Sequence, residues 1–369
     1  MKYYIIAGEA SGDIHAAYLM KAIKGNDPDA EFRFWGGDKM SEQGGTLVKH
    51  YRDLAFMGLV EVLKNLRVII KNLSFCKKDI AEYSPDAVIF VDYPGFNLKI
   101  AKFAHKKGIK TIYYISPQIW AWHRSRVHKI KRIIDLMLSI VPFEKDFYEK
   151  YNYPVKYVGN PLLDELSSRD YLSYDGFVKK NRLPAKPIVA LLPGSRTQEI
   201  RAMLKTMVKT AENFKDYQFV IAGTKSQDDS VYGNRGNIPV VYGQTHNLLA
   251  VAKAALVASG TASLETAIIG TPHTVCYRTS FLTYRLAKSL IRVNFISLVN
   301  LIMDKEVVKE LIQNDFNVEK LTLELKGLLF DKEKIDRIKN DYLLLRKKLG
   351  NSGASVRAAA AIHEFLTKS

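Results

Sequence analysis

Short apolar runs recur along the chain and alternate with segments that have helical periodicity. The run AVIFV at 87–91 is apolar at every position, which is typical of a strand covered on both faces of a parallel sheet. Similar β-rich runs predict strands at 3–7, 31–35, 110–115, 136–141 and 155–158. Helices are predicted between some of these strands, at 15–24 and 98–107. Strands that alternate with helices indicate a parallel sheet with right-handed crossovers.

The same pattern starts again in the second half of the chain, after a largely polar segment at 167–187. Further strands are predicted at 188–192, 218–222, 240–241, 255–258 and 274–277. Helices are predicted at 199–214, 307–312, 332–349 and 354–366, and the sequence GNSG at 350–353 breaks the chain before the last of them. Two such runs in tandem predict an α/β fold of two Rossmann-like domains that face a central cleft.

The polar segment and the glycine-rich break suggest where the domains begin and end. The first domain is predicted at 1–166 and the second at 167–349. The remaining residues, 350–369, are expected to form a helix that packs back on the first domain or on a partner subunit.

The chain is basic, with 55 Lys and Arg residues against 38 Asp and Glu residues and a net charge of +17. Such an excess attracts nucleic acid, an anionic membrane surface or phosphorylated substrates, although a well-solvated surface would have the same composition. There is neither a signal-peptide pattern nor an apolar stretch of about 18 residues. We therefore expect a cytoplasmic protein that touches a membrane only at its surface.

Two glycine loops of the second half each follow a predicted strand and open a predicted helix. They are PGSR at 193–196 and SGTAS at 259–263. A helix start exposes backbone N–H groups and a partial positive charge, so both loops are suited to phosphate. Arg196 can pair with phosphate oxygens, and Glu265 could hold ribose hydroxyls. The alternative is ordinary helix capping with a surface arginine. Neither loop has the spacing of a dinucleotide fingerprint or of a P-loop.

In the first half, Asp92 directly follows the strand at 87–91. Ligands of α/β sheets bind at the carboxyl ends of parallel strands, and a carboxylate there can accept a proton from an attacking hydroxyl. Glu9 occupies the same position after the first predicted strand. The alternative for Asp92 is a turn-initiating residue ahead of Pro94 and Gly95.

Two further segments combine apolar and basic residues. The segment SPQIWAWHR at 116–124 could line an acceptor pocket, or it could form a buried aromatic cluster beside a solvated basic helix. The segment at 56–71 could dock on an anionic bilayer as an amphipathic helix, or it could face the core. His123 and His128 have no partner at metal-ligand spacing, so we predict no metal site.

Five motifs, taken in order, resemble those of lipid-A-disaccharide synthases, which are inverting glycosyltransferases with two Rossmann-like domains of the GT-B type. The motifs are GEASGD at 8–13, SPQIWAW at 116–122, LLPGSR at 191–196, ASGTASLE at 258–265 and SLVNL at 297–301. The resemblance implies that UDP-2,3-diacylglucosamine and 2,3-diacylglucosamine 1-phosphate (lipid X) are joined through a β-1,6 linkage, with release of UDP. It implies a metal-independent reaction without a cofactor, at the inner-membrane surface and without nucleic acid. The family often forms homodimers, which the break at 350–353 permits.

The resemblance also implies residue roles. Asp92 is expected to be the general base, Glu9 an alternative base, and Asn300 a residue near the diphosphate or the donor sugar. Contacts to the nucleotide and diphosphate are expected from Gly194, Ser195, Arg196, Gln244, Gly260, Thr261, Ala262 and Glu265. Contacts to the acceptor and its lipid chains are expected from Ser11, Met57, Val60, Trp120 and Trp122. The sequence DYPGF at 92–96 lacks the second acid that the resemblance leads us to expect before Phe96.

Two other functions remain open on the sequence alone. One is a different UDP-GlcNAc enzyme of the same fold, either a 2-epimerase or the transferase that forms lipid II. The other is nucleic-acid binding through the aromatic and basic segment at 120–132, which would act as a stacking platform. No known nucleic-acid module is apparent in the sequence.

Overall fold

The structure is a computed structural model that describes residues 1–54, 66–122, 124–167, 169–225, 227–233, 235–280, 284–285 and 293–368. The chain divides into two compact units, each with its own sheet. Unit 1 comprises Met1–Asp164 and Asn351–Ser369, and unit 2 comprises Glu165–Gly350.

Unit 1 is built on a parallel sheet. Its strands are β1 (Lys2–Ala7), β2 (Glu31–Gly36), β3 (Thr46–His50), β4 (Ala87–Val91), β5 (Lys110–Tyr114), β6 (Leu136–Ser139) and β7 (Lys156–Tyr157). Their order is β3-β2-β1-β4-β5-β6-β7, and neighbouring strands are parallel. The order reverses between β1 and β4, so their carboxyl ends flank the point at which doubly wound sheets bind ligands.

Helices cover both faces of this sheet. In chain order they are α1 (Ala10–Asn26), α2 (Asp38–Ser41), α3 (Leu66–Tyr83), α4 (Pro94–Lys106), α5 (Ile119–Trp122), α6 (Val127–Ile133), α7 (Glu144–Glu149) and α8 (Pro161–Ser167), in which the chain passes to unit 2. Successive residues of β1 point to opposite faces: Tyr4 and Ile6 join one core, and Tyr3 and Ile5 join the other. Two buried faces explain why β4 is apolar throughout.

Unit 2 repeats the architecture. Its strands are β8 (Ile188–Leu192), β9 (Gln218–Gly223), β10 (Val240–Tyr242), β11 (Ala252–Ala258), β12 (His273–Tyr277) and β13 (Glu310–Ile312), in the parallel order β10-β9-β8-β11-β12-β13. Its helices are α9 (Tyr174–Asn181), α10 (Thr197–Ala211), α11 (Thr245–Val251), α12 (Thr261–Ile269), α13 (Leu298–Met303), α14 (Val318–Phe330) and α15 (Lys332–Leu349).

The chain ends in unit 1 with α16 (Ala354–Thr367), which packs on α1. Ala358, Ala361 and Ile362 of this helix are buried in the same core as β1. The carboxylate of Asp164 caps its first turn by accepting hydrogen bonds from the N–H groups of Gly353, Ala354 and Ser355. Asp164 is the last residue of the first segment of unit 1, so it fixes the place at which the chain returns to that unit.

The predicted helix at 307–312 is wrong. Glu310–Ile312 is strand β13, and it pairs in parallel with β12. The run is too short for its apolar spacing to distinguish a helix from a strand, and Val307 and Val308 are β-branched residues buried just ahead of it. Strand β3 and several helices, among them α7, α8, α9, α11, α13 and α14, were not predicted, and the run at 136–141 ends as a strand at Ser139.

No helix in the described part of the chain is long and apolar enough to cross a membrane.

Candidate functional site

The loop after β8 holds an internal carboxylate at the position predicted to bind phosphate. Glu199 accepts hydrogen bonds through Oε2 from the N–H groups of Ser195 at 3.2 Å and Arg196 at 3.4 Å. Its Oε1 accepts a hydrogen bond from Nη1 of Arg196 at 3.0 Å. The start of α10 therefore already binds an anion, which is the carboxylate of Glu199.

Gly194 is required for this arrangement. Its φ of +117° lies in the region that favours glycine, and a Cβ atom there would lie 2.7 Å from both Cβ and Oε2 of Glu199. Gln227, which sequence analysis missed, holds the loop from the side. Its Nε2 donates to the carbonyl of Ser195 at 3.1 Å, and its Oε1 accepts from the hydroxyl of Thr197 at 2.7 Å.

The loop after β11 opens α12 at the same edge of the sheet, because all strands of the sheet are parallel. Gly260 and Thr261 are exposed there, and Ala262 and Glu265 are partly buried. Oε2 of Glu265 lies 2.9 Å from Nε2 of His246, which sequence analysis did not single out. The side chain of His246 is 15% exposed and that of Glu265 is 19% exposed, so the pair is mostly buried at this edge of the sheet.

The side chain of Gln244 is engaged with α9. Its Nε2 donates to Oδ1 of Asn181 at 2.8 Å, and its Oε1 accepts from Nδ2 of the same residue at 3.4 Å. This reciprocal amide pair anchors the start of α11. The predicted contact of the Gln244 side chain with a nucleotide would require that pair to open.

Asn300 is completely buried and holds the turn into β13. Its Oδ1 accepts from the N–H groups of Val307 at 2.8 Å and Val308 at 3.0 Å. Its Nδ2 donates to the carbonyl of Val308 at 2.8 Å and to Glu310 at 2.9 Å. These four bonds use the full hydrogen-bonding capacity of an amide, so the side chain of Asn300 positions the turn into β13.

A buried chain of polar side chains links α12 to the segment before α13. Nδ1 of His273 lies 2.8 Å from the hydroxyl of Tyr342, and its Nε2 lies 2.9 Å from Oγ of Ser263. Oγ of Ser263 lies 3.0 Å from Oγ of Ser297. Burial lowers the pKa of His273 to about 4, so the ring is neutral near pH 7. Sequence analysis missed this network, because its members are far apart in the chain.

In unit 1, Asp92 lies at the carboxyl end of β4 with an unusual backbone. Asp92 and Tyr93 have φ values of +47° and +49°, a conformation that non-glycine residues adopt rarely and that clusters at functional sites. The carbonyl of Asp92 accepts hydrogen bonds from the hydroxyl of Tyr113 at 2.6 Å and from Nδ2 of Asn97 at 2.7 Å. These bonds fix the backbone that presents the Asp92 carboxylate.

The environment of Asp92 raises the pKa of its carboxyl group to about 6. Burial is the main cause, and the negative charge of Glu9 adds to it, while a hydrogen bond from the Tyr93 N–H acts in the opposite direction. The structure therefore brings together the two carboxylates that sequence analysis had proposed as bases. A carboxylate with a pKa near 6 is ionised at neutral pH and is a better proton acceptor than an ordinary aspartate.

The glycine loop at 8–13 packs beside this backbone. A Cβ atom on Gly8 would lie 2.4 Å from ring carbons of Tyr93, so the approach requires glycine. Ser11 is exposed in the first turn of α1. Asp13 is buried, and its carboxylate accepts from the N–H groups of Gly37, Lys39 and Met40, which caps α2.

The aromatic segment at 116–122 is anchored by Glu144 of α7. Oε2 of this carboxylate accepts from the hydroxyl of Ser116 at 2.5 Å, and Oε1 accepts from Nε1 of Trp120 at 3.0 Å. Burial raises the pKa of Glu144 to about 7, against the effect of these two hydrogen bonds. Trp120 is only 5% exposed and packs against Phe143, so its indole is part of the core and helps to hold the loop.

Three of the predicted acceptor contacts fall outside the part of the chain that the structure describes. Met57, Val60 and the side chain of Trp122 lie outside the described residues. Among the residues that are described, no group of three His, Cys, Asp or Glu side chains could hold a metal ion.

Solved structures with the same fold are distant in sequence. A putative UDP-N-acetylglucosamine 2-epimerase from Listeria monocytogenes has a TM-score of 0.68 at 15% identity, and the match covers 100% of this chain and 97% of that one. The glycosyltransferase of kitacinnamycin has a TM-score of 0.66 at 14% identity, with 98% of each chain covered. These matches confirm the prediction of two Rossmann-like domains of the GT-B type.

Sequence comparisons identify the family. A family model described as lipid-A-disaccharide synthetase matches residues 3–365. The lipid-A-disaccharide synthase of Trichlorobacter lovleyi is 40% identical over 377 residues, which cover 99% of this chain and 97% of the relative. On these matches, which run through every motif described above, the chain belongs to the lipid-A-disaccharide synthase family.

Proposed function

We propose that this protein transfers a diacylglucosamine unit from UDP-2,3-diacylglucosamine to lipid X, forming the β-1,6-linked disaccharide 1-phosphate and UDP. The observation that carries the proposal is the match to the family along nearly the whole chain. The reaction is a single in-line displacement at the anomeric carbon. It needs one group that takes the acceptor proton and others that hold the departing diphosphate.

Unit 2 binds the donor in this proposal. The diphosphate contacts the guanidinium of Arg196, the N–H groups of Ser195 and Arg196, and the start of α12 at Thr261. Support comes from the hydrogen bonds to Glu199, because the same donors already bind a carboxylate. Helix starts and arginine can stabilise a leaving diphosphate without a metal ion. Glu265 accepts hydrogen bonds from the ribose hydroxyls.

Unit 1 binds and activates the acceptor. Asp92 takes the proton of the attacking hydroxyl, and its raised pKa makes it a competent base near neutral pH. Glu9 is the alternative base, since it lies close enough to raise the pKa of Asp92. Ser11, exposed at the start of α1, contacts the acceptor.

Helix α3 supports contact with the membrane that supplies both lipids. It contains the described part of the apolar and basic segment predicted at 56–71. Its exposed apolar side chains include Leu66, Ile70 and Phe75, which are 48%, 57% and 46% exposed. Arg67, Lys71 and Lys78 are exposed on the same helix. Apolar and basic side chains together suit the surface of an anionic bilayer, and we place the enzyme at the cytoplasmic face of the inner membrane.

Mass spectrometry of reaction products tests the proposed function. The full chain is incubated in EDTA with UDP-diacylglucosamine and lipid X, and in a parallel reaction with UDP-GlcNAc alone. We expect the disaccharide 1-phosphate in the first reaction and unchanged sugar nucleotide in the second. Asp92→Asn is the control: it should lower turnover by roughly 10²–10⁴-fold while UDP affinity stays unchanged. Epimerised UDP-sugar without disaccharide would support the 2-epimerase instead.

A further inference from the structure

We infer that His246 is a positioning residue for Glu265 and thereby sets how strongly the site distinguishes a ribonucleotide from a nucleotide that lacks the ribose hydroxyls. The inference rests on the proposed function, because it concerns the nucleoside part of the same donor. It starts from the 2.9 Å contact between Nε2 of His246 and Oε2 of Glu265.

The contact assigns different tasks to the two oxygens of Glu265. Oε2 faces the imidazole, so Oε1 is the oxygen available to ribose hydroxyls. A carboxylate held through one oxygen no longer rotates freely about its terminal bond. Less conformational entropy is then lost when a nucleotide binds. Both side chains are mostly buried, at 15% and 19% exposure, which strengthens the hydrogen bond relative to a fully solvated pair.

The helix that carries His246 is fixed at both ends. Gln244, at its start, is bound to Asn181 through both amide atoms. The carbonyl of Leu249, near its end, accepts a hydrogen bond from the hydroxyl of Thr271 at 2.6 Å. Asn247, next to His246, accepts a hydrogen bond from the N–H of Leu172 at 3.0 Å.

The helix that carries Glu265 is fixed independently. Its Ser263 belongs to the buried chain of contacts through His273 and Tyr342. The two helices also pack on each other. The imidazole and the carboxylate therefore meet as side chains of two anchored helices, which is the arrangement that pre-organises a ligand-binding group.

Calorimetric binding of UDP and 2′,3′-dideoxy-UDP to the full chain tests the inference. The variants are H246A, H246Q and E265A, and H128A removes an exposed histidine of unit 1 as the matched control. Wild-type protein should prefer UDP by roughly tenfold or more, because dideoxy-UDP cannot make the ribose hydrogen bonds to the charged Glu265 carboxylate. H246A should reduce that preference several-fold with little change in affinity for dideoxy-UDP. H246Q should restore part of it, because an amide can donate to Glu265.

The possible results separate the inference from the proposed function. If H246A weakens both nucleotides equally, His246 is merely structural and the inference is wrong. The same conclusion follows if E265A loses the preference while H246A and H246Q keep it. If wild-type protein binds neither nucleotide, the proposed donor site itself is wrong. If H246A does not fold, H246Q provides the test. A preference for UDP that lies between those of wild type and E265A supports the inference. A preference equal to that of wild type, together with weaker binding of dideoxy-UDP, contradicts it.

Discussion

At the scale of single residues, packing sets both the backbone conformation of Asp92 and the pKa of its carboxyl group. Two hydrogen bonds to its carbonyl and the left-handed backbone present the carboxylate at the end of β4. Burial there raises its pKa, and Glu9 raises it further. The sequence could predict that Asp92 follows a buried strand. It could not predict the positive φ, which the hydrogen bonds from Tyr113 and Asn97 hold in place. Nor could it predict the nearness of Glu9, which depends on the pairing of β1 with β4.

The pH dependence of turnover tests the role assigned to Asp92. Activity should fall as the pH drops through about 6, because protonated Asp92 cannot accept a proton. Glu9→Gln removes a negative charge beside Asp92, so the pKa of Asp92 should fall and the acid limb should move to lower pH. The measurement is kcat/KM against pH for both proteins.

The decisive observation is the shift of the acid limb between wild type and Glu9→Gln. The pH at which the limb lies is less informative. A substrate phosphate also titrates near pH 6, and its contribution is the same for both proteins. A limb that stays in place in Glu9→Gln would contradict the coupling. Complete loss of activity in that variant would identify Glu9 as the base.

At the scale of elements, the loop and helix at 193–211 combine a motif that the sequence predicts with a contact that only the folded chain reveals. The glycine loop, its helix and Arg196 were predicted from the sequence. The partner of Arg196 was not, because the sequence does not show whether Glu199 points into solvent or back over the loop. Asn300 is a second example. The sequence shows its motif, but only the tertiary structure shows that all four hydrogen bonds of its amide are made within the protein.

Replacing Glu199 by Gln should strengthen UDP binding. The carboxylate competes with the diphosphate for the same guanidinium and N–H groups, whereas an amide still caps α10 without the negative charge. We expect the Kd of UDP to fall by about 3- to 10-fold. Glu212→Gln, at the exposed far end of α10, is the matched control and should leave it unchanged. Weaker binding in Glu199→Gln would mean that Glu199 supports the diphosphate site.

The cap on α16 should be measurable as stability. Asp164→Ala removes the acceptor for three N–H groups at the start of a helix that fills the core of unit 1. Loss of a helix cap costs about 0.5–2 kcal/mol of unfolding free energy. Denaturant unfolding followed by circular dichroism should show this decrease, and Asp164→Asn should recover part of it. Unchanged unfolding in the alanine variant would show that the cap contributes no stability.

At the scale of the whole molecule, strand alternation was enough to predict the fold class. Continuous apolar runs such as β4 and β8 were correctly predicted as strands, because burial on both faces of a sheet leaves no polar positions. The edge strand β3 was not predicted, and the edge strand β13 was predicted as part of a helix. β3 is only partly buried, and β13 has three residues, so neither has a clear pattern. The buried network around His273 was equally out of reach, since its residues meet only in the folded unit.

The net charge of +17 and the exposed apolar side chains of α3 predict salt-sensitive binding to anionic vesicles. Ile70→Glu places a charge at a side chain that is 57% exposed, so it should reduce flotation with phosphatidylglycerol vesicles without unfolding the protein. Leu323→Glu, at a 72% exposed site on α14, is the matched control and should float like wild type. Equal losses in both variants would argue against α3 as the docking element.

The central claim is that the starts of α10 and α12 hold the diphosphate of the donor without a metal ion. A crystal structure of the full chain with UDP, grown in EDTA, tests it most directly. We predict that the diphosphate lies within hydrogen-bond distance of Arg196 and of the Thr261 N–H, with Glu199 turned away. UDP bound elsewhere, or bound only when a divalent cation is supplied, would contradict the account.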